Sequence, residues 1–233
     1  MNKYIAPIMA LVALGLVSAK AQTVITNADW TFETSVPTTA GPFNPEIGSG
    51  SALGSHVSGS AAYSNPAGDG STHSFSSNVW GVGDYYQFST TLDLADFTYS
   101  SFTLSYDQNG SGTGPGTFYL AYSTDGSTFT KFGSDYTLTS GITWTTSTPN
   151  LGTIESFDLS SVTALDTAST VYFRIVDDGT TAVNGTGTVG TAGTDRVDNF
   201  IIGSTVSPVP EPAAFSLALL GGVAGIFVLR RRN

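Results

Sequence analysis

Apolar and polar residues alternate along several short stretches of the chain, and this alternation predicts β-strands. Successive side chains of a strand point to opposite faces, so the apolar set in each stretch marks the face that packs against a core. The opening stretch, residues 22–33, places Trp30 and Phe32 on one face. The later strands predicted in this way cover residues 86–90, 102–106, 118–122, 129–132, 136–144, 171–176 and 196–203.

Glycine, proline, serine and aspartate separate these stretches and predict the connections between them. Thr124-Asp125-Gly126-Ser127 predicts a hairpin, because glycine adopts a positive φ at little cost. Residues 157–162 predict one helical turn. Loops are predicted at residues 35–79 (with one or two short strands), 107–116 and 180–194. Because no stretch keeps a helical period, the pattern predicts an all-β fold, a jelly-roll-like β-sandwich over residues 22–203.

The body of the chain is strongly acidic. Residues 22–208 contain 17 acidic residues and only three basic ones, Lys131, Arg174 and Arg196, which gives a net charge of about −14. A surface of this sign repels nucleic acid, so we expect no nucleic-acid partner. The chain has no cysteine, so its stability must come from packing or from a metal ion rather than from disulfides.

The N-terminal residues have the composition of a secretory signal peptide. Met1-Asn2-Lys3 is a short basic region, and residues 5–17 are apolar. Ala19-Lys20-Ala21 then supplies an A-x-A cleavage site. The sequence therefore predicts a signal peptide at residues 1–21, and the alternative is an uncleaved membrane anchor.

The C-terminal residues combine three features in a fixed order. A linker at residues 204–209 leads to Pro210-Glu211-Pro212, where the two prolines exclude a helix. Residues 213–229 carry no charge and predict a transmembrane helix of about 26 Å. Arg230, Arg231 and Arg232 follow at once and would hold that end of the helix in the cytoplasm.

This order of proline motif, apolar helix and arginines resembles the PEP-CTERM sorting signal of exported bacterial proteins. The resemblance implies that Pro210, Glu211 and Pro212 are recognised by an exosortase-type processing protease. It further implies that the protein is held in the inner membrane before processing and ends at the cell surface or in the extracellular matrix. The alternative is an ordinary C-terminal tail anchor, which needs the helix and the arginines but no Pro-Glu-Pro.

The body resembles exported jelly-roll domains of the carbohydrate-binding-module type. The resemblance rests on Glu33 after the opening strand, on a Ser-x-Asp-Gly hairpin at residues 123–126, and on Asp198 in the last strand. It implies a structural calcium ion shared by Glu33 and Asp198, with further oxygen ligands from loops. The alternative is that Asp198 caps a strand or pairs with Arg196 or Arg174.

Large aromatic side chains are the residues from which a sugar-binding surface would be built. Exposed rings can stack on pyranose rings, and the candidates for this role are Trp80, Tyr85 and Trp144, with Tyr63 as a further one. The alternative is that these rings belong to the core of the sandwich, where aromatic residues are common.

Motifs of catalysis are few in this chain, and we expect no enzyme. His56 and His73 are the only histidines, and no H-E-x-x-H or G-x-S-x-G motif occurs. The resemblance to PEP-CTERM proteins implies a structural or adhesive surface protein associated with exopolysaccharide, whereas composition alone indicates an acidic, secreted β-protein. The alternatives are a calcium-stabilised glycan-binding module and a hydrolase with two carboxylates, a pair that leaves no local signature.

Overall fold

The computed structural model of the protein describes residues 21–209, whose regular structure consists of β-strands with two short 3₁₀ helices. The 3₁₀ helices cover Leu151–Thr153 and Thr163–Thr167. The strands are β1 (Thr23–Trp30), β2 (Ile47–Gly48), β3 (Gly50–Ser55), β4 (Tyr63–Ser64), β5 (Phe75–Asn78), β6 (Tyr85–Thr91), β7 (Phe97–Gly110), β8 (Thr117–Ser123), β9 (Thr130–Thr137), β10 (Ile154–Asp158), β11 (Thr170–Asp177) and β12 (Thr194–Pro208).

The strands form two antiparallel sheets. One sheet has the order β10-β7-β12-β1-β2, with β5 paired to β12 and β4 paired to β5. The other has the order β3-β6-β11-β8-β9. Residues 22–207 make up one compact unit. The all-β sandwich predicted from the alternating pattern is therefore confirmed.

Aromatic side chains fill the space between the sheets. Phe88 comes from the five-stranded sheet and Phe200 from the seven-stranded one, and both are fully buried. Trp30 packs edge-on against both, at ring-centroid distances of 5.3 and 6.0 Å. Phe32 is also fully buried, although β1 ends before it and its φ is 57°. The prediction that Trp30 and Phe32 point into the core is confirmed.

The first and last strands lie side by side. β1 pairs with β12 from Thr23 opposite Val206 to Trp30 opposite Phe200, with an irregularity between Thr26 and Ala28. Because β12 continues to Pro208, most of the predicted linker at residues 204–209 belongs to this strand. Ser204 and Val206 are buried there, which explains why the segment pairs with β1 rather than standing free.

Three other local predictions were wrong. Residues 35–79 contain four short strands, β2 to β5, rather than one or two. Residues 107–110 continue β7, because their polar side chains are buried and Asp107 is hydrogen-bonded to Asn199. Residues 157–162 begin with the end of β10, an edge strand paired with β7, instead of a helical turn.

The hairpin predicted around Gly126 is confirmed, whereas the strand predicted at residues 136–144 is not. β8 pairs with β9, and Gly126 has a φ of +71° in the turn between them. The Asp125 carboxylate accepts hydrogen bonds from the backbone N–H groups of Ser127 and Thr128, which fixes the turn. β9 ends at Thr137, and residues 138–150 form a loop that carries Trp144.

Several predictions fall on residues that the structure does not describe. They are Ala19 of the signal peptide, the Pro-Glu-Pro motif at residues 210–212, the apolar segment 213–229 and the arginines 230–232. Ala21 is the first described residue and is exposed. Across residues 21–209, no helix has the length and apolar character needed to cross a membrane.

Candidate functional site

A groove of about 230 Å³ lies on the outer face of the five-stranded sheet. Strand alternation creates it, since Tyr86 and Ile175 point into the core while their neighbours Tyr85 and Arg174 point outward. β11 is the middle strand of this sheet, so Arg174 occupies the centre of the face. The lining residues are Gly83, Tyr85, Tyr119, Ala121, Phe129, Lys131, Arg174 and Val176.

Two aromatic rings hold the Arg174 guanidinium. Its Cζ atom lies 3.8 Å from the centroid of the Tyr85 ring and 3.5 Å from that of Phe129. Its Nε–H donates a 2.9 Å hydrogen bond to Oε1 of Gln87, the residue opposite it on β6. Burial lowers the pKa of Arg174, but a guanidinium stays protonated at any physiological pH. The groove therefore contains a fixed positive charge on an aromatic support.

The second cation of the groove is neutralised by its neighbours. Lys131 Nζ lies 4.5 Å from the centroid of the Tyr119 ring. The same ammonium forms ion pairs with Asp135 and, at 3.2 Å, with Asp178. The hydrogen bond to Asp135 is the largest cause of the raised pKa of Lys131. Lys131 thus contributes hydrogen-bonding groups to the groove but little net charge.

Of the predicted sugar-stacking residues, Tyr85 alone borders the groove. Trp80 is 7% exposed, packs between His56 and Tyr86, and donates its indole N–H to the Ser77 carbonyl oxygen. Tyr63 is half-buried, with its ring stacked on Phe75.

Trp144 is likewise enclosed, at 3% exposure. Its indole N–H donates to Thr153 Oγ1, and the Arg196 guanidinium lies 4.9 Å from the centroid of its ring. Trp80 and Trp144 therefore offer no free ring face, because each completes the packing of its own part of the sandwich. For these two tryptophans the core alternative was the correct one.

Sequence reasoning missed the groove residues Tyr119, Phe129, Lys131 and Arg174. Tyr119 and Arg174 occupy the outward positions of predicted strands, so strand alternation alone could have placed them on one face of a sheet. Phe129 lies between β8 and β9, and only the folded hairpin brings it onto Arg174.

Glu33 and Asp198, the predicted calcium ligands, contact one common loop. Glu33 Oε1 accepts a hydrogen bond from the His73 backbone N–H. Asp198 Oδ2 accepts hydrogen bonds from the Ser71 hydroxyl, at 2.6 Å, and from the Asp69 backbone N–H, at 2.9 Å. The two carboxylates therefore tie opposite ends of residues 69–73 to the body. Neither pairing of Asp198 with Arg196 nor pairing with Arg174 is seen among the described ion pairs.

The surroundings of Asp198 contain further buried acids. Burial is the main reason that the pKa of Asp198 is raised to about 7; hydrogen bonds from Ser71, Asp69 and Asn199 oppose this rise, and the nearby charge of Asp107 adds to it. Burial likewise raises the pKa of Asp107 to about 6, with a smaller contribution from the nearby charge of Asp69. Within residues 21–209, however, no group of three or more acidic, histidine or cysteine side chains is arranged to hold a metal ion. The residues present bind Asp198 through hydrogen-bond donors, and calcium at this loop stays a prediction.

A buried hydrogen-bond network joins Asp84, His56 and Ser77, the three residue types of a serine-type catalytic triad. His56 Nδ1 lies 3.0 Å from Asp84 Oδ2, and His56 Nε2 lies 3.0 Å from Ser77 Oγ. A nucleophile must be reached by its substrate, but Ser77 is 1% exposed and lies 2.9 Å from the Tyr86 hydroxyl. Desolvation also lowers the pKa of His56. This network links β5 to β6 inside the sandwich, and its Ser77, His56 and Asp84 side chains are enclosed.

Comparison with known proteins bears on the C-terminal residues. Residues 208–232 match the family model described as the PEP-CTERM protein-sorting motif. The chain carries a PEP-CTERM sorting motif. The matched range includes Pro210, Glu211, Pro212 and Arg230 to Arg232, so the resemblance drawn from these residues is confirmed. The motif implies a C-terminal membrane anchor before processing, followed by export to the surface.

Several solved structures are similar to the body at low sequence identity. The K1 cleaved adhesin domain of Lys-gingipain from Porphyromonas gingivalis W83 has 15% identity and a TM-score of 0.41, covering 77% of this chain and 97% of that one. TmCBM61 in complex with β-1,4-galactotriose has 9% identity and a TM-score of 0.30, covering 78% and 86%. CBM32-1 from a family 31 glycoside hydrolase of Clostridium perfringens has 18% identity and a TM-score of 0.29, covering 61% and 80%. The search of curated proteins gave no match.

Proposed function

We propose that the protein is an exported structural or adhesive component of the cell surface or extracellular matrix, associated with exopolysaccharide. The PEP-CTERM motif at residues 208–232 is the observation that carries the proposal, because it is a sorting signal attached directly to a β-sandwich. An exosortase-type protease recognises Pro210-Glu211-Pro212 while the segment 213–229 spans the inner membrane. Processing then releases the body from that anchor.

The groove on the five-stranded sheet is the surface that we assign to polysaccharide. Tyr85, Tyr119 and Phe129 supply aromatic area there, and Lys131 supplies donors that suit sugar hydroxyl groups. Asp135 and Gln87 do not line the groove but bond to its residues Lys131 and Arg174. A typical small-molecule pocket has a volume of about 300–1,000 Å³, and the groove is smaller than this. Its size therefore suits one sugar unit of a longer chain. The proposed role is binding rather than catalysis.

The sorting part of the proposal is tested by replacing Glu211 with alanine in the full chain. We expect Glu211→Ala to remain at full length in the membrane fraction, because the protease no longer recognises its site. Asp96→Ala, an exposed acid in the body, is the matched control and should be processed like the wild type. Equal release of Glu211→Ala and the control would contradict the sorting proposal.

A calcium-stabilised glycan-binding module is the second candidate. The favouring observation is that Asp69, Asp107 and Asp198 are all nearly fully buried and influence one another electrostatically. A divalent cation bound beside Asp198 and Glu33 would relieve this repulsion and fix the loop at residues 69–73. A hydrolase has less support, since the most enclosed carboxylates of the described residues, Asp177, Asp195 and Asp198, are 0% exposed and out of reach of a substrate.

A further inference from the structure

We propose that the groove selects acidic polysaccharide, and that Arg174 binds the carboxylate of one uronic-acid unit. This inference rests on the proposed function, because it names the class of sugar that the same groove takes. Three observations support it: the described ion pairs give Arg174 no acidic partner, its two terminal nitrogens have no acceptor among the described residues, and the groove has a volume of only about 230 Å³.

Arg174 is a cation without a counter-ion in a body rich in acids. Among residues 21–209, Lys131 is paired with Asp135 and Asp178, and Arg196 lies in the electrostatic field of buried aspartates. The described ion pairs do not include Arg174, whose titratable neighbours are the phenols of Tyr85 and Tyr119 rather than carboxylates. A half-buried charge without a partner is unfavourable, so this position gains from an anion supplied by a ligand.

The arrangement of Arg174 suits a carboxylate. Contacts with the rings of Tyr85 and Phe129 restrict the guanidinium, and Gln87 occupies the Nε–H donor. In the part of the chain that the structure describes, the two terminal nitrogens have no hydrogen-bond acceptor. These nitrogens can donate two parallel hydrogen bonds to one carboxylate, a geometry that lysine cannot reproduce. Because the ring contacts already restrict the arginine side chain, binding a ligand costs little further side-chain entropy.

The rest of the groove favours an isolated carboxylate over a dense polyanion. The faces of Tyr85 and Tyr119 are in contact with Arg174 and Lys131, so charge rather than ring stacking is the main source of selectivity. Asp135 and Asp178 repel additional negative groups while accepting hydrogen bonds from neutral sugar hydroxyls. We infer a ligand with one carboxylate on a sugar whose neighbouring groups are uncharged.

The experiment measures binding of the full chain in detergent micelles to hyaluronate, in which an uncharged sugar separates successive carboxylates, and to polygalacturonate, in which every sugar carries one. The methyl ester of each polymer is the matched neutral ligand, since esterification removes the charge and keeps the sugar ring. We expect the wild type to bind hyaluronate at least about tenfold more tightly than its ester, the size of one charge-assisted hydrogen-bonded contact, and to show a smaller preference for polygalacturonate over its ester. Arg174→Gln should lose this preference, and Arg174→Lys should keep only part of it.

Ser140→Asp is the control variant, because it changes the net charge as Arg174→Gln does but lies on the exposed loop after β9. It should bind like the wild type, and a thermal melt of each variant checks that the sandwich is intact. Equal affinity of the wild type for acid and ester would overturn the acidic preference while leaving polysaccharide binding in place. Binding of no acid polymer, together with saturable binding of a neutral galactan, would overturn it as well. Binding of no polymer at all would remove both this inference and the assignment of the groove.

Discussion

The rings of Phe88 and Phe200 stack at a centroid distance of 3.5 Å, with their planes 5° from parallel. Phe88 belongs to the sheet that bears the groove on its outer face, and Phe200 belongs to the sheet that contains both terminal strands. This stack therefore packs the sheet that carries the candidate binding surface against β12, the strand that leads into the sorting motif. Tyr106 extends it, since its ring lies 5.4 Å from Phe200 and 11° from parallel.

Phe200→Ala should be among the most destabilising single substitutions in the body. It removes a fully buried ring and leaves a cavity between the sheets, for which we expect a loss of about 3–5 kcal/mol in the free energy of unfolding. Denaturant titration of the full chain measures this loss. Val24→Ala, at a strand position that is 78% exposed, should change the free energy by less than about 0.5 kcal/mol. Similar losses for both variants would argue against this core.

Stability should fall as the pH rises from 4 to 8, because buried carboxyl groups must ionise. Burial raises the pKa of Asp177 to about 6 and that of Glu155 to about 7, and it raises that of Asp195 well above its ordinary value. When the pKa of a carboxyl group is higher in the folded state than in the unfolded state, the group stabilises the fold fully at a pH below its unfolded-state pKa. This stabilisation is lost as the pH rises through its folded-state pKa. The expected loss begins near pH 4 and is largest up to about pH 7, where Asp177 and Glu155 ionise, and Asp195 extends it to higher pH.

Asp177→Asn should flatten this dependence, because the amide cannot ionise. The side chain is 0% exposed. In the wild type, its ionisation should lower the free energy of unfolding at pH 8, relative to pH 4, by on the order of 1–3 kcal/mol, and the variant should not show this part of the loss. The control is Asp158→Asn. In the wild type, the Ser160 N–H lowers the pKa of the Asp158 carboxylate, so this carboxylate affects the pH dependence of stability in the opposite direction to Asp177. Melting temperatures measured across the pH range decide the matter, and a wild type most stable at pH 8 would contradict this prediction.

The calcium proposal predicts a chelator-sensitive melting temperature. A ligand that binds only the folded state stabilises it, by about 2.7 kcal/mol when its concentration is 100 times its Kd. Removal of calcium should therefore lower the melting temperature of the wild type and leave Asp198→Asn unaffected. Magnesium is the control ion, since it suits a smaller octahedral site. A wild-type melt that responds to neither chelator nor calcium would exclude a structural calcium ion at this loop.

Strand alternation predicted the parts of the fold in which one face is apolar. Tyr86 and Phe88 in β6, and Phe173 and Ile175 in β11, show this pattern, and all four are buried as expected. The pattern fails where buried residues are polar. Residues 107–110 have the sequence of a loop, and they extend β7 only because tertiary partners such as Asn199 satisfy Asp107.

The candidate groove was less predictable than the fold. Trp80 and Trp144 look like surface platforms in the sequence, but each side chain is enclosed by residues that are distant along the chain. Arg174 and Phe129 are 45 positions apart by their numbers, and their contact depends on the pairing of β8 with both β9 and β11. The composition did contain one indication of the site. Because the body has only three basic residues, each of them is a candidate for a functional role.

The most direct test of the account is binding of the full chain to the exopolysaccharide of its own organism, measured by co-sedimentation in detergent. We predict saturable binding by the wild type and by the core-neutral control Val24→Ala. The double substitution of Tyr119 and Phe129 by alanine removes two walls of the groove and should abolish saturable binding without unfolding the sandwich. Absence of binding by the wild type, or equal binding by the double variant, would contradict the claim that this groove attaches the protein to polysaccharide.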